Sequence, residues 1–136
     1  MASAIRSHAQ EWSAHNNIKL ILDIDPQLGR LPEAIELSAF RIVQEGLNNI
    51  RKHAAATEAR LQLSRTPSAS LLINLSDNGR GLAQPLDLAR VSADKHFGLL
   101  GISERVGLLG GTLRIDSSSS GGLTLVIEIP SPYPSV

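Results

Sequence analysis

The sequence predicts an α+β domain, a two-layer sandwich in which a mixed sheet of about five strands is covered on one face by about three helices. Three observations predict it. Five short apolar or alternating runs have the length and spacing of strands. Three other segments repeat apolar residues at helical spacing. Strands and helices mix along the chain without the strict alternation of a parallel α/β fold.

Ala2 to Ala14 reads as a weak helix, with Ile5 and Trp12 on one side, ending in the turn chemistry of His15-Asn16-Asn17. Ile18 to Ile24 alternates as a strand, and Pro26 and Gly29 break it. A helix follows from about Pro32 to about Ala55. Proline suits its first turn, and Glu33 and Glu36 sit at the positive end of its dipole. Leu61 and Leu63 belong to a strand that turns near Pro67. Leu71 to Ser76 is an apolar strand. A long loop from Gly79 to about His96 leads to a helix over Leu99 to Leu109, which Gly110-Gly111 ends. Thr112 to Asp116 and Leu123 to Ile129 form a last strand pair, and the proline-rich residues from Ser131 form a tail.

Composition narrows the function. The 136 residues suffice for one core. With 13 basic and 13 acidic residues there is no bulk electrostatic reason to bind nucleic acid, and 3% aromatic content offers few stacking platforms. Cysteine is absent, which excludes disulfides, thiolate catalysis and cysteine-ligated metals. No apolar run has the length of a membrane span, and the first residues lack a secretory core, so the piece is expected to be soluble.

Three places carry chemistry. Asp77-Asn78-Gly79-Arg80-Gly81 closes an apolar strand. Alone, Asn-Gly there reads as a hairpin turn. Gly81-Leu82-Ala83-Gln84-Pro85-Leu86 makes a poor return strand, however, so the segment reads as a strand opening into a binding loop. On the long helix Phe40, Val43, Leu47, Ile50 and Ala54 form the expected core face. Glu45, Asn49, Lys52 and His53 lie along another side, either as a solvated face or as a set able to accept a proton, ligate a hard cation and neutralise phosphate. Asn48-Asn49 inside a helix opposes local propensity, which favours the second reading. Gly98 and Gly101, three apart at a helix start, suit either capping and packing or an anion site of free N–H groups.

In order and spacing, these segments resemble the ATP-binding domain of the gyrase/Hsp90/histidine-kinase/MutL ATPases. The resemblance rests on Phe40 to Ala54, Asp77 to Leu82, and Gly98 to Val106 with Gly110-Gly111-Thr112-Leu113. The wording is closest to sensor histidine kinases that signal to NarL-type response regulators. The resemblance implies a Bergerat-type ATP-binding fold and an ATP-binding catalytic domain over 18–130. Residues 1–17 would be the trailing end of a dimerisation helix or a linker, and 131–136 a tail. It implies ATP and Mg²⁺ as cofactors, with Asp77 accepting from the adenine amine and Gly79 and Gly81 letting the base approach backbone. Asn49 would ligate Mg²⁺, Lys52 and His53 would lie near the phosphates, and Glu45 would be the catalytic base. Gly98 and Gly101 would hinge a lid, and Thr124 would place a hydroxyl near the base, although Leu123 intervenes in the usual pattern.

The resemblance also implies partners: a phosphoacceptor histidine on a dimerisation domain, and a NarL-type response regulator. It implies a homodimeric, cytoplasmic parent and leaves membrane anchoring open. No segment here matches the acceptor motif, so the chain is expected to bind Mg-ATP without phosphorylating itself. An anti-sigma-factor-like protein serine kinase and a non-catalytic nucleotide-sensing module are the alternatives.

Overall fold

The computed structural model describes residues 1–79, 99–118 and 122–131, without the side chains of His53, Ala54 and Ser118. The elements are α1 (Ala2–Asn16), β1 (Lys19–Ile24), α2 (Glu33–Asn49), a π-helical turn (Ile50–Ala54), β2 (Glu58–Arg65), β3 (Leu71–Asp77), α3 (Leu99–Leu108), β4 (Thr112–Ser118) and β5 (Gly122–Ile129). They match the expected order of helices and strands. The expected loop beyond Gly79 and the tail beyond Ser131 lie outside the described residues.

The five strands form one mixed sheet in the order β1-β2-β3-β5-β4. β1 pairs parallel with β2, and the other neighbours are antiparallel. The two-residue period of a strand sorts the side chains. Ala59, Leu61 and Leu63 of β2, Leu71, Ile73 and Leu75 of β3, and Leu123, Leu125, Ile127 and Ile129 of β5 are all buried on the helix-covered face. The opposite face carries Arg60, Gln62 and Glu128, which are exposed. One polar and one apolar face is the pattern of a sheet covered on one side.

α2 crosses the middle of the sheet. Ile35, Ala39, Ile42, Val43, Gly46 and Leu47 are its buried residues up to the last turn. The core stripe therefore runs through Ala39, Ile42 and Gly46 more than the sequence pattern suggests. Phe40 is only partly buried and meets the His8 ring of α1 edge-on, with centroids 5.5 Å apart. Gly46 sets how closely helix and sheet approach, because a Cβ there would run into Leu75 Cδ2. α1 seals one flank with Ile5, Ala9 and Trp12 in the shared core, and Asn17 ends it in a left-handed conformation at φ 53°. α3 seals the other flank with Leu99, Ile102 and Val106.

This topology decides where the end of α2 lies. The helix continues through the π-helical turn into β2, whose start lies beside the end of β3 (Ala59 opposite Asp77). Beyond the Gly46–Leu75 contact, then, helix and strand both run toward the same edge of the sandwich. Asn49 and Asp77 end up at that edge.

Candidate functional site

Asp77 occupies the last position of β3, on the helix-covered face, and is 7% exposed. Its Oδ1 accepts the Gly79 N–H at 2.7 Å, the contact of an Asx turn. Burial pushes its carboxyl above the ordinary carboxylate range, and the backbone N–H groups of Gly79 and Leu123 draw it partly back. A carboxylate kept in so little water is held at a cost and is suited to meet a specific donor.

Asn78 turns its side-chain amide to the neighbouring strand. Its Oδ1 accepts the N–H groups of Thr57 and Glu58 at 3.0 and 2.9 Å, and its Nδ2 donates to Thr57 Oγ1 at 2.9 Å. Its own N–H donates to the Glu58 carbonyl at 3.1 Å. One amide thus ties the end of β3 to the start of β2 and holds Asp77 and Gly79 in place. Asn78 of the turn-like Asn-Gly pair serves as a clamp, and among the described residues the sheet partners of β3 are β2 and β5.

Asn49 does not belong to a solvated stripe. It is 5% exposed, because it stands seven and three residues after Ile42 and Gly46, at the end of the buried stripe. Its Oδ1 is buried and has no hydrogen-bond partner among the described residues. An orphaned buried acceptor costs about 1–3 kcal/mol, so it calls for an explanation. A hard cation that takes neutral oxygen ligands fits it. Asn48, its neighbour, is exposed and accepts from Arg51 Nη2 at 2.8 Å.

Glu45 is one helical turn before Asn49 and is part exposed. Its Oε1 lies 3.5 Å from Arg105 Nε of α3. It also lines a groove of about 320 Å³ between α1 and α2, together with His8, Trp12, Gln44 and Asn48. Lys52 is exposed on the π-helical turn. Such turns occur often at functional sites. The His53 side chain, Gly81 and Gly98 lie outside the described residues. Gly101, on the first turn of α3, comes against Glu45. The structure therefore sets Glu45 beside Gly101 and brings Asn49, one turn further on, to the edge where Asp77 and Gly79 lie.

Thr124 is not brought into that group. It pairs with Ser76 and with Asp116, one step out of phase with the buried Leu123 and Leu125. The pleat turns its side chain to the face away from Asp77. The residue on the side of Asp77 is Leu123, which contributes its backbone N–H.

Gly122 lies against Asp77, and motif spacing did not single it out. It has φ +82°, and a Cβ there would collide with the Asp77 carbonyl oxygen and come within 2.8 Å of Asp77 Oδ1. The signal available in the sequence was Gly121-Gly122 just before a strand. Gly122→Ala is expected to destabilise the fold by at least about 1–3 kcal/mol from backbone conformation alone, and to weaken ligand binding at Asp77 as well. Urea denaturation and calorimetry check the two effects, and a variant with unchanged midpoint and affinity would show that the close approach is unimportant.

A strand-end carboxylate, a helix-borne Glu and Asn, and a glycine-bearing helix on one edge define a class of site. A model of the histidine kinase-, DNA gyrase B- and HSP90-like ATPases matches residues 34–133. The chain belongs to that family. Within it, the chain is 37% identical over 101 residues to the signal transduction histidine-protein kinase/phosphatase DegS of Brevibacillus brevis, covering 74% of this chain and 25% of that protein. It is 35% identical over 135 residues to UhpB of Salmonella typhimurium, another signal transduction histidine-protein kinase/phosphatase, covering 98% and 25%. The nitrate/nitrite sensor protein NarQ of Escherichia coli is 28% identical over 131 residues, with 96% and 22% covered. The chain thus spans about a quarter of the length of these relatives. The histidine kinase domain of the Erythrobacter litoralis EL346 blue-light activated kinase shares the fold, with a TM-score of 0.77, 21% identity and coverage of 93% of this chain and 58% of that one. Full-length ShkA in complex with AMPPNP also shares it, with a TM-score of 0.75, 19% identity and coverage of 98% and 30%.

Proposed function

We propose that this chain is the Mg-ATP-binding catalytic domain of a two-component sensor histidine kinase, and that it transfers the γ-phosphate to a histidine on a dimerisation domain. The observation that carries the reading is Asn49 Oδ1, a buried acceptor without a donor among the described residues, one turn from Glu45 and on the same edge as Asp77. Membership in the ATPase family supports it, as do relatives named as histidine kinases.

In this reading Asp77 accepts from the adenine amine, and Gly79, Gly81 and Gly122 leave the base room beside backbone. Asn49 would hold Mg²⁺ through Oδ1, and the ion would offset phosphate charge. Lys52 and His53 would add positive charge or hydrogen bonds at the phosphates, with Gly98 and Gly101 at the lid. Glu45 receives the N–H proton of the attacking imidazole as the new P–N bond forms and the bond from γ-phosphorus to the bridging oxygen breaks, releasing ADP. Phosphoryl transfer needs positioning and charge more than covalent help, and this set supplies both.

Residues 1–17 would continue from the dimerisation helices of the parent, the rest to 130 forming the catalytic domain. A homodimeric cytoplasmic parent would pass the phosphate to a NarL-type response regulator. No helix among the described residues is long and apolar enough to cross a membrane.

Calorimetric titration of ATP and GTP, with and without Mg²⁺, tests the proposal. ATP is expected to bind more tightly than GTP, and more tightly with Mg²⁺ than without. Asn49→Ala is expected to weaken Mg-ATP binding at least roughly tenfold, by analogy with the loss seen when groups supporting a metal are removed. Its affinity for ATP without Mg²⁺ should change little. Equal affinities for the two nucleotides would remove the adenine reading, and an Asn49→Ala chain that keeps its Mg²⁺ dependence would remove Asn49 from the metal.

A further inference from the structure

Glu45 is held from one direction by α3, the helix that carries Gly101. Its Oε1 faces Arg105 Nε at 3.5 Å. A Cβ at Gly101 would lie 2.9 Å from its Oε2. Gly101 and Arg105 stand four apart and so share one face of α3. That face meets Glu45 with a bare glycine packed against one carboxylate oxygen and a cation beside the other. Arg105 and Glu45 are both part exposed, and an ion pair of that kind adds little to stability. What it does is select one placement for a long carboxylate side chain that has several rotamers of its own.

We propose that Arg105 is the positioning residue of Glu45: it aims the carboxylate at the proton to be removed, and it links that aim to α3. The proposal rests on reading Glu45 as the base. Arg105 acts through Glu45 and touches neither nucleotide nor acceptor. Misplacing a catalytic group by about 1 Å can cost about 10²-fold in rate, and release of one of two restraints should cost part of that, roughly tenfold.

The experiment is a double-mutant cycle on the full chain with Arg105→Gln, Glu45→Gln and both together. Turnover is read as loss of label from [γ-³²P]ATP with Mg²⁺, to water or to an added dimerisation-helix fragment bearing the acceptor histidine. Mg-ATP affinity is read by calorimetry, and the fold by thermal unfolding. Arg105→Gln is expected to lower turnover about tenfold with affinity unchanged. Arg105→Lys should recover most of the loss, because the contact is a single charge on one oxygen. In the Glu45→Gln background Arg105→Gln should have no further effect. A full Arg105→Gln effect in that background overturns the proposal, and so does a loss of affinity matching the loss of turnover, which would put Arg105 at the phosphates. If Glu45→Gln alone leaves turnover intact, the base assignment itself has failed. If only Arg105→Gln is silent, the assignment stands and the positioning role is overturned.

Discussion

Glu45→Gln lowers transfer of the γ-phosphate by about 10²–10⁴-fold, the usual contribution of a positioned general base, and leaves Mg-ATP affinity within about twofold. The amide has the same shape, so it fills the space facing Gly101, and its oxygen can still accept from Arg105. It cannot take a proton at neutral pH. Only the step in which the nucleophile loses its proton is therefore affected. The fold is not at risk either, since the ion pair with Arg105 is part exposed and contributes at most about 1 kcal/mol. Single-turnover transfer from labelled ATP to the acceptor domain, beside calorimetry on the same preparations, separates the two quantities. Transfer at the parent rate would mean another group takes the proton. A parallel fall in affinity would mean that Glu45 binds rather than reacts.

The fold was legible because its elements announce themselves locally. Strands from Leu71 and Leu123 are mostly apolar, α2 begins just after Pro32 with Glu33 and Glu36 in its first turn, and α3 ends just before Gly110. The strand order was not legible, since β5 enters between β3 and β4 through contacts far apart in sequence. Neither was the π-helical turn at Ile50–Ala54, which no glycine or proline marks.

Within the site, residue types were readable and their environments were not. Glu45, Asn49 and Asp77 could be picked out by chemistry and spacing. The burial of Asn49 depends on Gly46 letting α2 approach Leu75, a tertiary fact. Thr124 shows the opposite error: a hydroxyl near the right motif, but one residue out of phase with the pleat. Asn78 looked like turn chemistry and is a clamp between β2 and β3. Arg105 was hidden because its partner is sixty residues away in sequence, on another helix.

Asp77→Asn is the substitution whose two effects should have opposite signs. On binding, the loss is at the amine of the base. Asp77 Oδ1 already accepts the Gly79 N–H, the Leu123 N–H also faces the carboxylate, and its remaining lone pairs are what it offers a ligand. An asparagine that keeps its oxygen on Gly79 presents an NH₂ to a donor, and one that flips leaves Gly79 facing a donor instead. Losing a hydrogen bond to a charged group costs about 1.5–3 kcal/mol, so ATP affinity should fall roughly 10- to 100-fold. On stability, the sign reverses. Burial raises the Asp77 carboxyl above its unfolded value, so the folded chain holds its proton more tightly than the unfolded chain does. Stability is therefore greatest below the ordinary carboxylate pKa. It falls as pH rises from there through the raised folded value, above which the penalty is complete. A neutral amide does not titrate and avoids that penalty. The nucleotide-free Asp77→Asn chain should match the parent at low pH and exceed it increasingly as pH rises through that window, while binding ATP more weakly throughout. Denaturant midpoints across pH, paired with calorimetry, measure both. A variant that is less stable at neutral pH would show that the carboxylate is retained for the fold. One that binds ATP as the parent does would remove Asp77 from the base.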